Sequence, residues 1–432
     1  MAPVAATTST STSPAIPDFS KPFQGPPPSL SLPPSQFARL QPHSYLLAHL
    51  SPLSPDSRPP LRVNGRTPSQ FRPASVNTGS LTHTNASAVV RIGDTVAVCG
   101  VRGEILSTDN IAAWNVSSSE TITSKRRKTS APQAEQLQLQ QRQQNEPVED
   151  EAEDDEDDED DSDIHNFNLL VPNLSLSTGC APGIAPSAAP SALAQSLSHK
   201  LLALLHTTRL VRASDLRILY HPPDLTHITA ANPSISESEG SKIKPETKAF
   251  WTLYIDVLII SHAGNPFDAA WGAVIAALRD TRLPKAWWDM DNEMVLCSDD
   301  VAEARPLRLR GLPIASSFGV FEADGMEGWR IPMPVGEEVE DAINSDKSKA
   351  VGAGADGGGR PQRWILADLD AFEESLCMER VCVVVDKDGA GQVKILKLEK
   401  NSGLAVGRRE VKELVELASG RWEEWRELFG ER

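Results

Sequence analysis

The sequence has little that would tie the chain to an oxidising compartment, a metal or a membrane. Its five cysteines, Cys99, Cys180, Cys297, Cys377 and Cys382, are odd in number and widely scattered. That excludes a disulfide framework and the short paired spacing of a zinc site, and leaves reduced, buried thiols as the expectation. No apolar run is long enough to span a bilayer. The first residues mix Ser, Thr and Pro without the basic start or apolar stretch of a signal or transit peptide. These absences lead us to expect a soluble protein in a reducing compartment, with no membrane partner, no cofactor and no bound metal.

Positive charge is also in short supply, since 42 Lys and Arg face 59 Asp and Glu for a formal net charge of −17. Thirteen of the carboxylates sit among the fifteen residues 149–163, and setting those aside leaves −4. A nearly neutral folded body can carry a local basic groove, so the total does not exclude a nucleic-acid partner.

What the chain has in excess is segments that cannot fold. Many of its 33 prolines fall in the first eighty residues, and residues 1–35 hold too little apolar surface to offset chain entropy, so a disordered tail is expected there. A second such segment, 107–163, joins the basic cluster Lys125, Arg126, Arg127 and Lys128 to a Gln-rich stretch and the polyacidic run. Like charges at that density hold a segment extended, which marks it as an insert in a larger domain. A flexible glycine-rich loop is expected within 337–362. The spans 36–106 and 164–432 remain for one large domain, with the ordered part about two-thirds of the 432 residues.

Within that domain the pattern alternates between periods. A helix is expected over 36–50, then strands over 75–81, 86–92 and 95–105, with Gly93-Asp94 suiting a type II′ hairpin turn. A strand over 167–172 precedes a helix over 189–211, whose Leu193, Leu197, Leu201, Leu204 and Leu205 recur at helical spacing. The run at 249–261, rich in β-branched and aromatic residues, is a central strand, and Asp256 within it reads as a buried, hydrogen-bonded acid. A helix over 267–280 begins beside Pro266, where the missing N–H costs nothing. Strands follow over 307–310, 314–322, 364–367, 381–386 and 393–399, and an amphipathic helix over 408–429 carries Val411, Leu414, Val415, Ala418, Trp422 and Trp425 on one stripe. The fold class is α/β (α+β): two similar halves, strands first and helices after, in one domain.

Several segments, in order, resemble the RNase PH superfamily and, within it, the ring subunits of the eukaryotic RNA exosome. They are Asn64-Gly65-Arg66, Phe71-Arg72-Pro73, Gly79-Ser80-Leu81, Ser87 through Thr95, Val98 through Val101, Gly264-Asn265 with Asp268-Ala269-Ala270, Arg282-Leu283-Pro284, Ile365 through Asp368, and Glu373-Glu374-Ser375. The resemblance implies a fold of two duplicated halves and a hetero-hexameric ring made with other RNase PH-like subunits. It also implies RNA-binding cap subunits above that ring and a separate hydrolytic nuclease subunit below, with 3′–5′ RNA degradation and rRNA processing in nucleus, nucleolus and cytoplasm.

The same resemblance bears on catalysis. Phosphorolysis needs a phosphate held beside an anionic RNA backbone, hence fixed N–H donors and a cation. Active relatives that look similar place Gly-Thr-Arg or Gly-Ser-Arg after the central strand, where this chain has Gly264, Asn265 and Pro266. They also carry two aspartates six residues apart, and those positions fall here on Glu374 and Arg380. Both slots read as degenerate, so no catalytic residue is expected and the chain reads as a non-catalytic, RNA-guiding subunit. An active phosphorolytic exoribonuclease is one alternative, and an acidic-loop protein that binds basic nuclear partners is another.

Arg62, Arg66 and Arg72 are candidate RNA-phosphate contacts, the plainer alternative being structural salt bridges. Lys125 to Lys128 is a candidate nuclear localisation signal, set against chance occurrence in a flexible loop. Glu373 and Glu374 read as carboxylates on a solvated segment. Cys377 and Cys382 read as inert, with no basic neighbour to stabilise a thiolate.

Overall fold

The computed structural model describes residues 33–51, 59–111, 114, 162–182, 184–185, 189–222, 245–323, 363–377, 379–388, 391–401 and 406–430. The cluster at 125–128, the loop at 337–362 and most of the expected tail and insert lie outside them.

The chain opens with helices α1 (Pro34–Leu40) and α2 (Pro42–Leu50), then strands β1 (Ala74–Thr78), β2 (Ala86–Ile92), β3 (Thr95–Ser107) and β4 (Leu170–Leu176). Helices α3 (Ala192–Thr208) and α4 (Ala213–Leu216) lead to β5 (Arg217–Tyr220), the long β6 (Glu246–Ser261) and α5 (Pro266–Asp280). Short strands β7 (Arg282–Leu283), β8 (Ala286–Asp289), β9 (Met294–Cys297) and β10 (Arg305–Pro306) follow. The second half is β11 (Ile314–Glu322), β12 (Arg363–Ala367), α6 (Ala371–Glu374), β13 (Glu379–Lys387), β14 (Val393–Asn401) and α7 (Arg408–Leu428).

Two larger sheets result, β1-β2-β3-β6-β4 with β5 also on β6, and β12-β11-β13-β14, beside the two-stranded pairs β7-β10 and β8-β9. Helix α5 touches β1, β2, β3 and β6 of the first sheet and β11 of the second, α7 touches β1, β11 and β13, and α3 touches β4 and β14. The three long helices thus form a layer between the sheets, and their apolar side chains merge with both inner faces into one core. The β2–β3 hairpin turns on Gly93 at φ 57, the only one of its two turn residues with positive φ, as a type II′ turn requires.

Several expectations are corrected. The helix over 36–50 is two helices broken at Gln41, because Pro42 has no N–H to continue the first. The strand at 75–81 ends at Thr78, before Gly79 at φ 73. The strand over 167–172 lies instead at Leu170–Leu176, parallel to β6 on the sheet edge, where Pro172 costs no ladder bond. Residues 307–310 form no strand, only a single bridge from Leu309 to Val211.

Side-chain environments differ as well. Leu193 is 41% exposed. Asp256 faces solvent, because β6 packs only alternate residues inward. Cys297 is exposed and Cys382 half-buried, unlike buried Cys99, Cys180 and Cys377. The ends of the insert belong to the body: Thr108 Oγ1 donates to the Lys248 carbonyl at 3.0 Å, and Asp163 pairs with Arg217 at 2.6 Å. Likewise Pro34 and Ser35, placed in the tail, begin α1. Among the described residues no helix is long and apolar enough to cross a membrane, and no group of three or more His, Cys, Asp or Glu could hold a metal.

Candidate functional site: a helix N-terminus sealed by the chain itself

Where β6 ends, Gly264 turns the chain into α5 at φ 97. A Cβ there would stand 2.5 Å from the Asp370 carbonyl carbon, so only glycine allows the loop before α6 to approach this turn. Asn265 follows in the left-handed region at φ 47 and caps α5, its side-chain oxygen accepting from the Asp268 N–H at 3.4 Å. Its amide nitrogen donates to Asp268 at 2.7 Å and to Asp368 at 2.8 Å, tying two buried carboxylates together. The Asn265 backbone N–H donates to Glu374 Oε1 at 2.8 Å. Pro266, at the first helical position, has no N–H to offer.

Opposite this turn, the segment 62–72 is fastened to 367–374. Arg62 donates through Nε to Glu373 Oε1 at 2.7 Å and through Nη2 to Glu373 Oε2, and its Nη1 reaches the Ala367 carbonyl at 2.5 Å. Neither side chain of that pair is exposed. Glu373 is held in place by a capping box: Asp370 Oδ1 accepts from the Glu373 N–H at 2.9 Å, and Glu373 Oε2 accepts from the Asp370 N–H at 3.1 Å. Arg72 grips Asp368 with Nε and Nη2, both at 2.8 Å, while its Nη groups also reach the carbonyls of Ala263 and Gly264 at 3.1 Å. Arg66 donates to the carbonyls of Gln70 and Asp368 at 3.1 Å.

The electrostatics follow from burial. Desolvation raises the Asp268 carboxyl to about 6, against bonds from Ser317 and Asn265 that favour the anion. Burial pushes Asp368 the same way, but the Arg72 guanidinium and its hydrogen bonds overcome it and hold Asp368 below the usual range. For Arg72 burial opposes the charge, and the bonds to Asp368 outweigh it, leaving its pKa raised. Arg66 is lowered to about 10, by burial first and then by Arg62 beside it.

The chain matches the profile of the RNase PH family, described as the 3′ exoribonuclease family, domain 1, over residues 70–146 and 145–284. It is 29% identical over 293 residues to the exosome complex component rrp43 of Schizosaccharomyces pombe, covering 68% of this chain and 76% of that one. The chain belongs to the RNase PH family. It is also 47% identical over 58 residues, 13% of this chain and 18% of the other, to the exosome complex component Rrp42 of Methanothermobacter thermautotrophicus. Among solved structures it is similar to a chain of the Archaeoglobus fulgidus exosome with RNA bound to the active site. That likeness has 17% identity and a TM-score of 0.49, over 90% of this chain and 97% of that one.

In this RNase PH fold, the four residues singled out from the sequence meet. Asn265, Pro266, Glu374 and Arg380 line one cavity of about 350 Å³, with Lys200, His262, Ser317 and Glu399 on its other walls. The cavity's cations are engaged: Lys200 pairs with Glu399 at 2.8 Å, and Arg380 donates to the Glu374 carbonyl at 2.9 Å. What faces the start of α5 is Glu374, an anion supplied by the chain.

Two readings are corrected here. Glu373 is fully buried and not on a solvated segment, because Arg62 neutralises it. Arg62 and Arg72 spend their guanidinium donors inside the protein, so as folded they take the structural role and are not open to an RNA phosphate. Arg66 retains a 12% exposed side chain beside them. Cys377 and Cys382 are pushed up to about 12, chiefly by burial, which keeps them thiols. Sequence reasoning assigned no role to Asp368, Asp268 or Arg421. Arg421 is buried on the apolar stripe of α7, where its Nη1 donates to the Arg72 carbonyl at 3.1 Å and its guanidinium lies 4.9 Å from the Phe71 ring centroid. The spacing of Asp370 and Glu373, a capping-box signature, was the one local signal that could have located the buried glutamate.

Proposed function

We propose that this chain is a non-catalytic ring subunit of an RNA exosome, which holds its neighbours and helps guide RNA toward a separate hydrolytic nuclease. The observation that carries the reading is the hydrogen bond from the Asn265 N–H to Glu374 Oε1 beside Pro266. A phosphate nucleophile at this turn would need that N–H and a cation next to it. Here the N–H is satisfied by a carboxylate, the next residue has no N–H, and an incoming anion would meet like charge. The similarity to exosome components supports the assembly: other RNase PH-like subunits in a hetero-hexameric ring, RNA-binding caps and RNA as substrate of the whole. Nuclear and nucleolar placement alongside a cytoplasmic pool belongs to the same proposal, with Lys125 to Lys128 as the import signal.

The test is to incubate the purified chain, alone and with its ring partners, with single-stranded RNA and inorganic phosphate. No nucleoside diphosphate release attributable to this chain is expected. Release that disappears on Glu374→Gln would establish the alternative, an active phosphorolytic exoribonuclease.

A further inference from the structure

Strands β8 and β9 form a two-stranded hairpin in which Trp287 faces Leu296, Trp288 faces Val295 and Asp289 faces Met294. Directly opposed residues share a face and successive residues alternate, so the hairpin has two distinct sides. One side is used: Ala286 and Val295 pack on the core, and Lys248 Nζ lies 5.8 Å from the Trp288 ring centroid. The other side carries Trp287, Leu296, Asp289 and Met294. Trp287 is 42% exposed, Met294 50%, and Met290 at the turn 59%. Single exposed apolar residues are ordinary, but a tryptophan and a methionine on one side of a small hairpin, with a second exposed methionine at its turn, are not.

The charge at the tip of this hairpin has one sign. Asp289, Asp291 and Glu293 stand there and Asp299 and Asp300 follow β9, whereas the cations lie toward the base and the packed side: Lys248 over Trp288, Arg305 and Arg308 on the pocket that Ala286 lines, and Lys285, paired with Glu303 at 3.1 Å. The turn is also held in shape, since Asp289 accepts from the Asp291 N–H at 3.1 Å and from the Asn292 side chain at 2.7 Å. At the tip a phosphate backbone or an anionic lipid surface would meet these carboxylates first. A protein segment with Lys or Arg beside apolar side chains would satisfy both the charge and the exposed area.

We propose that the outer face of the β8–β9 hairpin docks a basic, apolar protein segment of a partner, with Trp287, Met290 and Met294 as its apolar contacts. Methionine thioethers adapt to an apolar partner surface, and a tryptophan supplies a large rigid contact. The site is independent of the sealed helix terminus, so its failure would leave the pseudoenzyme reading untouched.

The experiment places a photo-crosslinking p-benzoylphenylalanine at Met290 in the full chain, expressed among its cellular partners, with the same group at Arg91 as a surface control. The expected adduct is a protein segment with at least two Lys or Arg within five residues of the linked position. Its yield should fall at least fivefold when Met294→Asp is added, and likewise with Trp287→Ser, while the thermal midpoint of each variant stays that of the parent. Adducts on RNA or lipid, on an acidic or uncharged segment, or on residues 125–128 of the same chain would overturn the proposal. So would a yield no higher than at Arg91, or one indifferent to both substitutions.

Discussion

Arg72 and Asp368 stand 296 positions apart in sequence and meet through two parallel hydrogen bonds of 2.8 Å, joining the start of the first sheet to the loop after β12. Both are nearly excluded from water. Removing one partner therefore strands a buried charge, which typically costs about 3–5 kcal/mol. Asp368→Asn is expected to lower unfolding stability by that order. Because the pair is coupled, the double variant Asp368→Asn with Arg72→Met should lose much less than the sum of the singles. Urea denaturation of the four proteins measures this, and additive losses would contradict it.

The Arg62–Glu373 pair makes the same kind of claim with a sharper geometry, since neither side chain has any exposure. Glu373→Gln removes the charge and leaves Arg62 unmatched, so a loss of about 3–5 kcal/mol is expected. Replacing both residues with apolar ones of similar volume should recover most of it. If Glu373→Gln were neutral in denaturation, the clamp between 62–72 and 367–374 would not be what joins these segments.

Asp268 gives a pH signature of opposite sign to that of an ordinary paired carboxylate. Burial raises it from 3.8 to about 6 in the folded chain, so between those values the folded state holds more protons than the unfolded state. Stability from this group is therefore greatest below pH 4, falls as pH rises to about 6 and is level above. The shift corresponds to about 3 kcal/mol. Asp368, held low by Arg72, works the other way: its contribution is present above its unfolded pKa and is lost as pH falls. The unfolding free energy of the wild type minus that of Asp268→Asn, measured from pH 4 to 7, should decline and then flatten; a flat difference throughout would refute the assignment.

Gly264→Ala tests the approach of the two segments at the site. A Cβ would meet backbone atoms of Asp370 and Ala371 at 2.5 to 2.6 Å, at a φ of 97 that an L-residue rarely adopts. A loss above about 2 kcal/mol is expected, with strain and clash combined. Loss of the α5 cap should show as faster exchange of the Asn265, Phe267 and Asp268 amides.

How much of this was visible beforehand depended on whether the signal was local. β2 and β11 fell at their expected limits, and β6 was found within three residues at one end, because β-branched runs and a Gly-Asp turn are written in adjacent residues. The β8–β9 hairpin was missed because Trp-Trp-Asp-Met-Asp-Asn-Glu-Met carries no clean alternation, and its strands are held by packing on the core. The burial of Asp256 was misjudged because a long apolar run looks two-sided, whereas this sheet packs one face of β6. At the site, the resemblance singled out residues 265, 266, 374 and 380, which the fold brings to one cavity. What could not be read is that Glu374 lands on the Asn265 N–H, a contact across 109 positions. Nor could the bonding of Arg62, Arg66 and Arg72 to Asp368 and Glu373, about 300 positions away, be seen in any window of sequence.

The most direct test of the sealed terminus is a phosphate titration of protein labelled with ¹⁵N at asparagine, followed at the Asn265 amide. The account predicts no saturable shift of that resonance in the wild type up to tens of millimolar phosphate, and a saturable shift once Pro266→Arg is combined with Glu374→Gln. A saturable shift at Asn265 in the unaltered chain, accompanied by RNA-dependent release of nucleoside diphosphate, would contradict it.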